Sequence, residues 1–182
     1  MEATCAHAEK MGVREYMDTL FAIMRSPVKY FESVADESGS RRALFFLMIS
    51  GIFYCSVSMT YFFENSLIMG VIMMINAIFM PALAAAFTFC IISMSTCSRV
   101  PYGKVFNVYA YAGGALMVIS WIPGLAMVME PVRAVLVGIG LVKACGLGKM
   151  QAALLVLLTA VLLLIFFWTA APVILELRSA FL

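Results

Sequence analysis

Histidine is nearly absent from this 182-residue chain: His7 is the only one, and aspartate and glutamate together number ten. Acid–base and metal chemistry need several such side chains brought together. A membrane protease, a transferase or a proton pump would therefore lack its working groups, and the expectation is a non-enzymatic protein with no cofactor and no metal. The five cysteines, Cys5, Cys55, Cys90, Cys97 and Cys145, form no CxxC pair and are odd in number, which argues against a disulfide framework. Cys55 and Cys90 fall in apolar blocks and read as small hydrophobes. Cys5 and Cys145 would be the exposed thiols, without a basic or His neighbour to activate them. Charged residues make up only 12% of the chain, and its net charge of +2 is scattered at block edges. Nucleic acid is excluded as a partner because no basic patch exists to hold it.

What the chain has in excess is apolar residues, 64% of the total, arranged in long uncharged blocks. That arrangement makes lipid the solvent. Residues 1–42 differ: they hold seven of the ten acids and six of the twelve basic residues, and so belong in water or among headgroups. They do not read as a cleavable signal, which needs a short basic stretch followed at once by an apolar one. Within them Val13, Tyr16, Met17, Leu20, Phe21 and Met24 recur at helical spacing, with Arg14, Glu15, Asp18 and Arg25 on the other side, which predicts an amphipathic helix. Ser26 and Pro27 start a second short helix, whose apolar face carries Val28, Phe31, Val34 and Ala35. These helices either cover the end of a bundle or form an interfacial platform that docks a partner through Tyr16, Leu20 and Phe31.

The blocks predict the spans. Ala43 to Phe63 is long enough for a hydrocarbon core of about 30 Å, which takes about 20 helical residues. Ser66 to Ser98 reads as one overlong helix kinked at Pro81, because splitting it there leaves two short halves with no polar turn between them. A third span lies in Val105 to Met129, ended early by Pro123 and Gly124. Glu130, Pro131 and Arg133 then read as a tight outer turn, followed by a short fourth span within residues 132–147 whose Arg133 and Lys143 reach the two interfaces. A re-entrant segment is the competing reading of that element. Gln151 to Leu175 spans without difficulty. The fold class expected is all-α: an arm, residues 1–42, of amphipathic interfacial helices, and a polytopic bundle, residues 43–182, of five transmembrane helices. With five crossings, ten of the twelve basic residues fall on one face and Arg133 and Arg178 on the other. The positive-inside rule then puts the amino terminus in the cytoplasm and the carboxyl terminus outside.

Inside the spans, small residues four apart, Ala82 with Ala86 and Ala110 with Gly114, let backbones approach and are expected to join the second and third spans. Asn76, Asn107, Ser120 and Thr159 need partners if buried in lipid. Interhelical hydrogen bonds are the plain reading, and a polar solute path is the rival. The candidate packing or lining residues are Asn76, Pro81, Asn107, Tyr109, Tyr111, Gly114, Trp121 and Pro123. Fifteen methionines, among them Met69, Met73, Met74 and Met80, suit copper(I) as soft ligands but suit apolar packing better. Gly146, Leu147, Gly148 and Lys149 superficially match a phosphate loop. Met150 stands where its Ser or Thr belongs and no strand precedes it, so the glycines read as a helix end and Lys149 as an interface anchor.

One stretch carries a family resemblance. Pro101, Tyr102 and Gly103, then Val105, Phe106, Asn107, Val108, Tyr109, Ala110 and Tyr111, followed by Trp121, Ile122, Pro123, Gly124 and Leu125, resemble the bacterial branch of the Yip1 family. Gly140, Leu141, Lys143 and Ala144, and upstream Ser26, Pro27 and Phe31, are similar to its segments after the short fourth helix and before the membrane. The resemblance covers roughly residues 20 to 175 with soft motifs, and implies a five-helix bundle with a cytoplasmic amino terminus, in a bacterial inner membrane. Eukaryotic relatives act in vesicle traffic and contact lipid-modified small GTPases. This sequence lacks their Asp-Leu-Tyr-Gly-Pro segment and has a short arm. The function expected is a scaffold or adaptor in membrane organisation. A small channel or transporter, or a lipid-handling or bilayer-shaping protein, is the alternative. The partners expected are the lipid bilayer and a membrane or cytoplasmic protein of unspecified identity, with self-association left open.

Overall fold

The structure is a computed structural model that describes residues 12–37, 39–62, 67–95, 100–122 and 124–181, the side chains at 61, 62, 126 and 170–181 excepted. Pro123, Cys5 and His7 lie outside the described residues. The described residues form seven α-helices and no strand: α1 (Val13–Arg25), α2 (Pro27–Val34), α3 (Arg41–Phe62), α4 (Leu67–Ser95), α5 (Tyr102–Ser120), α6 (Leu125–Ala144) and α7 (Lys149–Phe181). The all-helical expectation holds. Among the described residues three helices are long and apolar enough to cross a membrane: α3 over Arg41–Thr60, α4 over Leu67–Ser95 and α7 over Lys149–Thr169. Large apolar side chains such as Leu154, Leu157 and Leu164 on α7 and Ile72 and Ile75 on α4 stand exposed on the outside of the bundle. Water would not tolerate so continuous an apolar surface, and lipid does.

Helix α5 is the axis around which the others are arranged. Every residue from Val105 to Met117 is buried, and α1, α3, α4 and α6 all pack on it. Its small residues set the approach distances. A Cβ added at Gly114 would sit 2.9 Å from Cε1 of Phe46 and 3.3 Å from Oγ of Ser50, both on α3, whereas one at Gly113 would meet Pro81 of α4 at 3.4 Å. The expectation that Gly114 joins the second and third spans is thus corrected. Gly114 seats α5 on α3, and the neighbouring Gly113 faces α4. Helix α4 continues through Pro81, which is buried. Methionines fill the α3–α4 seam where glycines open it, Met74 opposite Gly51 and Met59 opposite Gly70. That is the packing role of a flexible side chain.

The element expected as a short fourth span is also corrected. Glu130, Pro131 and Arg133 do not form a turn; they lie inside α6, and the break between helices falls earlier, after α5 ends at Ser120 and before α6 begins at Leu125. Gly124, with φ 81°, takes the left-handed conformation that makes this break cheap. Pro131 lies inside the helix, as its seventh residue, so it removes one backbone hydrogen bond and the helix nevertheless continues through it. Glu130 and Arg133, one turn apart, neutralise each other at 2.8 Å. The element is therefore 20 residues long, not a short span over residues 132–147. Its far end is closed by the Leu147 amide donating to the Leu141 carbonyl, and the Gln151 side chain caps the start of α7 by accepting from the Gly148 amide at 3.2 Å. The glycines at 146 and 148 are therefore helix-end residues.

Candidate functional site: the arm and its polar cavity

Helices α1 and α2 are clamped onto the bundle, and the clamp begins with apolar burial. Tyr16, Leu20 and Ile23 of α1 and Phe31 and Val34 of α2 point inward, with Phe31 wholly buried and Ile23 1% exposed. Burying each such side chain stabilises the docked arm by about 1.5–3 kcal/mol. The rings interlock: Tyr16 lies 5.0 Å from Phe46 of α3, Phe46 lies 5.5 Å from Tyr111 of α5, and Tyr111 meets Tyr30 of α2 edge-on at 5.3 Å. At the other side of α2, Phe31 and Val108 both abut Gly140, where α6 carries no side chain to obstruct them.

Polar contacts then fix the register. The Tyr16 hydroxyl is 2.9 Å from that of Ser50, and Lys143 pairs with Glu32 at 2.7 Å. Arg42 pairs with Glu15. Such exposed ion pairs add at most about 1 kcal/mol each, so they orient the arm more than they hold it. The connection from α2 to α3 is strapped along α5. Tyr111 donates to the Glu37 carboxylate at 3.1 Å, Asn107 donates its amide to the Gly39 carbonyl at 2.9 Å, and Ser40 reaches the Gly103 carbonyl at 3.4 Å. Gly39 has φ 126°, a conformation open to glycine that turns its carbonyl toward Asn107.

Between arm and bundle these groups border a half-open cavity of about 360 Å³, lined among others by Glu15, Tyr30, Asp36, Glu37, Arg42 and Tyr111. Burial pushes the Glu37 carboxyl above the usual carboxylate range, against the Tyr111 hydrogen bond and the Arg42 charge, which lower it. Burial likewise raises the Tyr30 phenol. The Tyr111–Glu37 hydrogen bond ties the α2–α3 connection to α5 at this cavity.

The residues singled out from sequence fall into distinct surroundings. Tyr16, Leu20 and Phe31, expected as a partner face, are packed in the core, so the exposed face of the arm is a different one. Val13, Met17, Phe21 and Met24 on α1 and Val28 on α2 form a second apolar stripe that the bundle leaves uncovered. Asn107 is 1% exposed with its Oδ1 unpaired among the described residues, while Asn76 is exposed on α4. The two do not share a polar lining. Tyr109 joins Thr88 of α4 at 2.6 Å, and Thr88 joins Thr159 of α7 at 2.9 Å. This three-helix link gives Thr159 its partner. Ser120 turns back to the Leu116 carbonyl, and Trp121 closes α5, partly buried, at the turn to α6. Cys145 is half-buried, and burial pushes its thiol up to about 11 against the Lys104 charge, the opposite of activation. Among the described residues no group of three or more His, Cys, Asp or Glu could hold a metal.

Sequence reasoning missed Tyr30, Glu37, Ser50 and Thr88. Tyr111 and Glu37 stand 74 positions apart, and no spacing rule connects them. A family model described as the Yip1 domain matches residues 21–171 of the chain. No curated protein and no solved structure matches it.

Proposed function

The chain belongs to the Yip1 family, and from that premise we propose that it is a non-enzymatic scaffold or adaptor that crosses its membrane five times and presents its arm on the cytoplasmic side. Helices α5 and α6 supply the two further crossings. At 1.5 Å per residue their 19 and 20 residues reach about 28 and 30 Å, matching a core about 30 Å thick. Neither needs a wholly apolar sequence, because α5 is enclosed by other helices and α6 neutralises its own Glu130 and Arg133. Ten basic residues then gather on the arm's face, which orients that face to the cytoplasm of a bacterial inner membrane. The arm, residues 1–42, and the bundle, residues 43–182, divide the labour between recognition and anchoring.

The observation that carries the adaptor reading is the two-sided apolar arc of α1. One half, Tyr16, Leu20 and Ile23, is used up in docking, and the other half, Val13, Met17, Phe21 and Met24, is left uncovered on a helix held in a fixed orientation. A fixed apolar stripe beside charged Arg14, Asp18 and Arg25 suits a helix-in-groove contact with a membrane-associated protein. The test is in-cell photo-crosslinking from Phe21 and Met17, with buried Ile23 as the internal control. A discrete protein adduct from the first two positions and none from the third is expected. Lipid adducts alone would replace the adaptor reading with a bilayer-surface role.

A further inference from the structure

The fold leaves an open apolar groove of about 730 Å³ between α6 and α7. It stays open because the facing positions are small: Ala134 and Gly138 on α6, Ala153 and Ala160 on α7. A Cβ added at Gly138 meets nothing within 4 Å. One end is cationic, with Lys143 and Lys149 at the rim. Lys143 is paired with Glu32, whereas Lys149 is exposed and makes no ion pair among the described residues.

The dimensions choose the occupant. From Lys149 to Ala160 the helix rises by eleven residue steps, about 16 Å, which is half of a core about 30 Å thick. The groove therefore runs one leaflet deep from a positively charged rim. Its volume lies in the range of small-ligand sites, about 300–1,000 Å³. We propose that the groove holds an acyl chain of an anionic phospholipid from the leaflet on the arm's side, with the headgroup phosphate at Lys149. Basic pockets between membrane helices recognise anionic headgroups in this way. Val28 of α2 also lines the groove, so the bound lipid touches the arm and stiffens its seat. The inference rests on α6 and α7 as membrane-spanning helices, not on the adaptor role, and the crosslinking test above is independent of it.

Native mass spectrometry of the full chain in mild detergent, titrated with phosphatidylglycerol or with phosphatidylcholine of the same chains, tests the site. Phosphatidylglycerol should be retained about fivefold more strongly, the value of one lysine near an anionic surface. Lys149→Gln, a surface change that leaves the fold intact, should bring it down to phosphatidylcholine. Gly138→Leu should reduce retention of both lipids by filling the groove, and sn-glycerol 3-phosphate should fail to displace the lipid. Equal retention of the two lipids, a preference that survives both substitutions, full displacement by the soluble phosphate, or a lipid-free dimer abolished by Gly138→Leu would each overturn the proposal.

Discussion

Gly140 is where α2, α5 and α6 come closest, and a single methyl group placed there should loosen the arm. The Cβ of Gly140→Ala would stand 2.4 Å from Cγ1 of Val108 and 3.3 Å from Cδ1 of Phe31. Ordinary contact requires a retreat of about 1 Å from Val108. That residue cannot turn aside easily, because a β-branched side chain in a helix has one strongly preferred rotamer. Val108 and Phe31 are both fully buried. Overpacking of this kind costs about 1–3 kcal/mol, and the better helix propensity of alanine returns about 1 kcal/mol, leaving a net loss of up to about 2 kcal/mol. The expected outcome is a lower melting temperature in detergent and faster tryptic cleavage at Arg25 and Lys29. Adding Val108→Ala should recover part of the loss, since the two sites share one contact. Gly138→Ala, whose Cβ meets open space, serves as the control and should be neutral or stabilising by up to about 1 kcal/mol. A Gly140→Ala protein as stable as Gly138→Ala, with an equally resistant arm, would refute the reasoning.

Three further outcomes follow from the clamp and the bundle. Glu37 has its carboxyl raised by burial above its ordinary value of 4.5, so the folded state binds the proton more tightly. Its contribution is most favourable at or below that value and declines as pH rises toward the folded pKa. Hydrogen exchange in α2, corrected for intrinsic rate, should show the arm better held near pH 5 than near pH 7, and Glu37→Gln should flatten that difference. Asn107→Ala removes the bond to Gly39 and should cost about 1–2 kcal/mol, whereas Asn76→Leu, on an exposed face of α4, should leave the melting temperature unchanged or higher. Thr88→Val breaks the link to Tyr109 and Thr159 while keeping its shape, and should lower stability by about 0.6–1.7 kcal/mol in the same melting assay.

The sequence made the long helices legible because an uncharged block of twenty or more residues has few other uses; α3 and α4 begin and end close to their blocks, and α7 starts with its block and runs on past Leu175 to Phe181. It misled at α6. Glu130 and Pro131 resemble a turn in isolation, and only the position of Gly124 and the Glu130–Arg133 pair reveal a helix already under way. The apolar arc of α1 was readable, but periodicity says how wide an arc is, not which half a neighbour covers. Tyr16, Leu20 and Phe31, a candidate partner face under one of the two readings of the arm, lie within, as the reading that the arm covers the end of the bundle implies. Gly114 was legible as a close-approach position and not as to which helix approaches. The strap from Glu37 to Tyr111 and the Thr88 link depend on tertiary partners, and a single sequence carries no local sign of them.

Whether the arm lies at the cytoplasmic face of five crossings is tested most directly by cysteine accessibility in intact cells and inverted vesicles. In a cysteine-free background, single cysteines at Ser33 and Lys149 should react with a membrane-impermeant maleimide only in inverted vesicles. Those at Leu67 and Met127, both exposed, should react only in intact cells. Met127 reacting from the cytoplasmic side, or Ser33 from outside, would contradict the crossing of α5 and α6 or the placement of the arm.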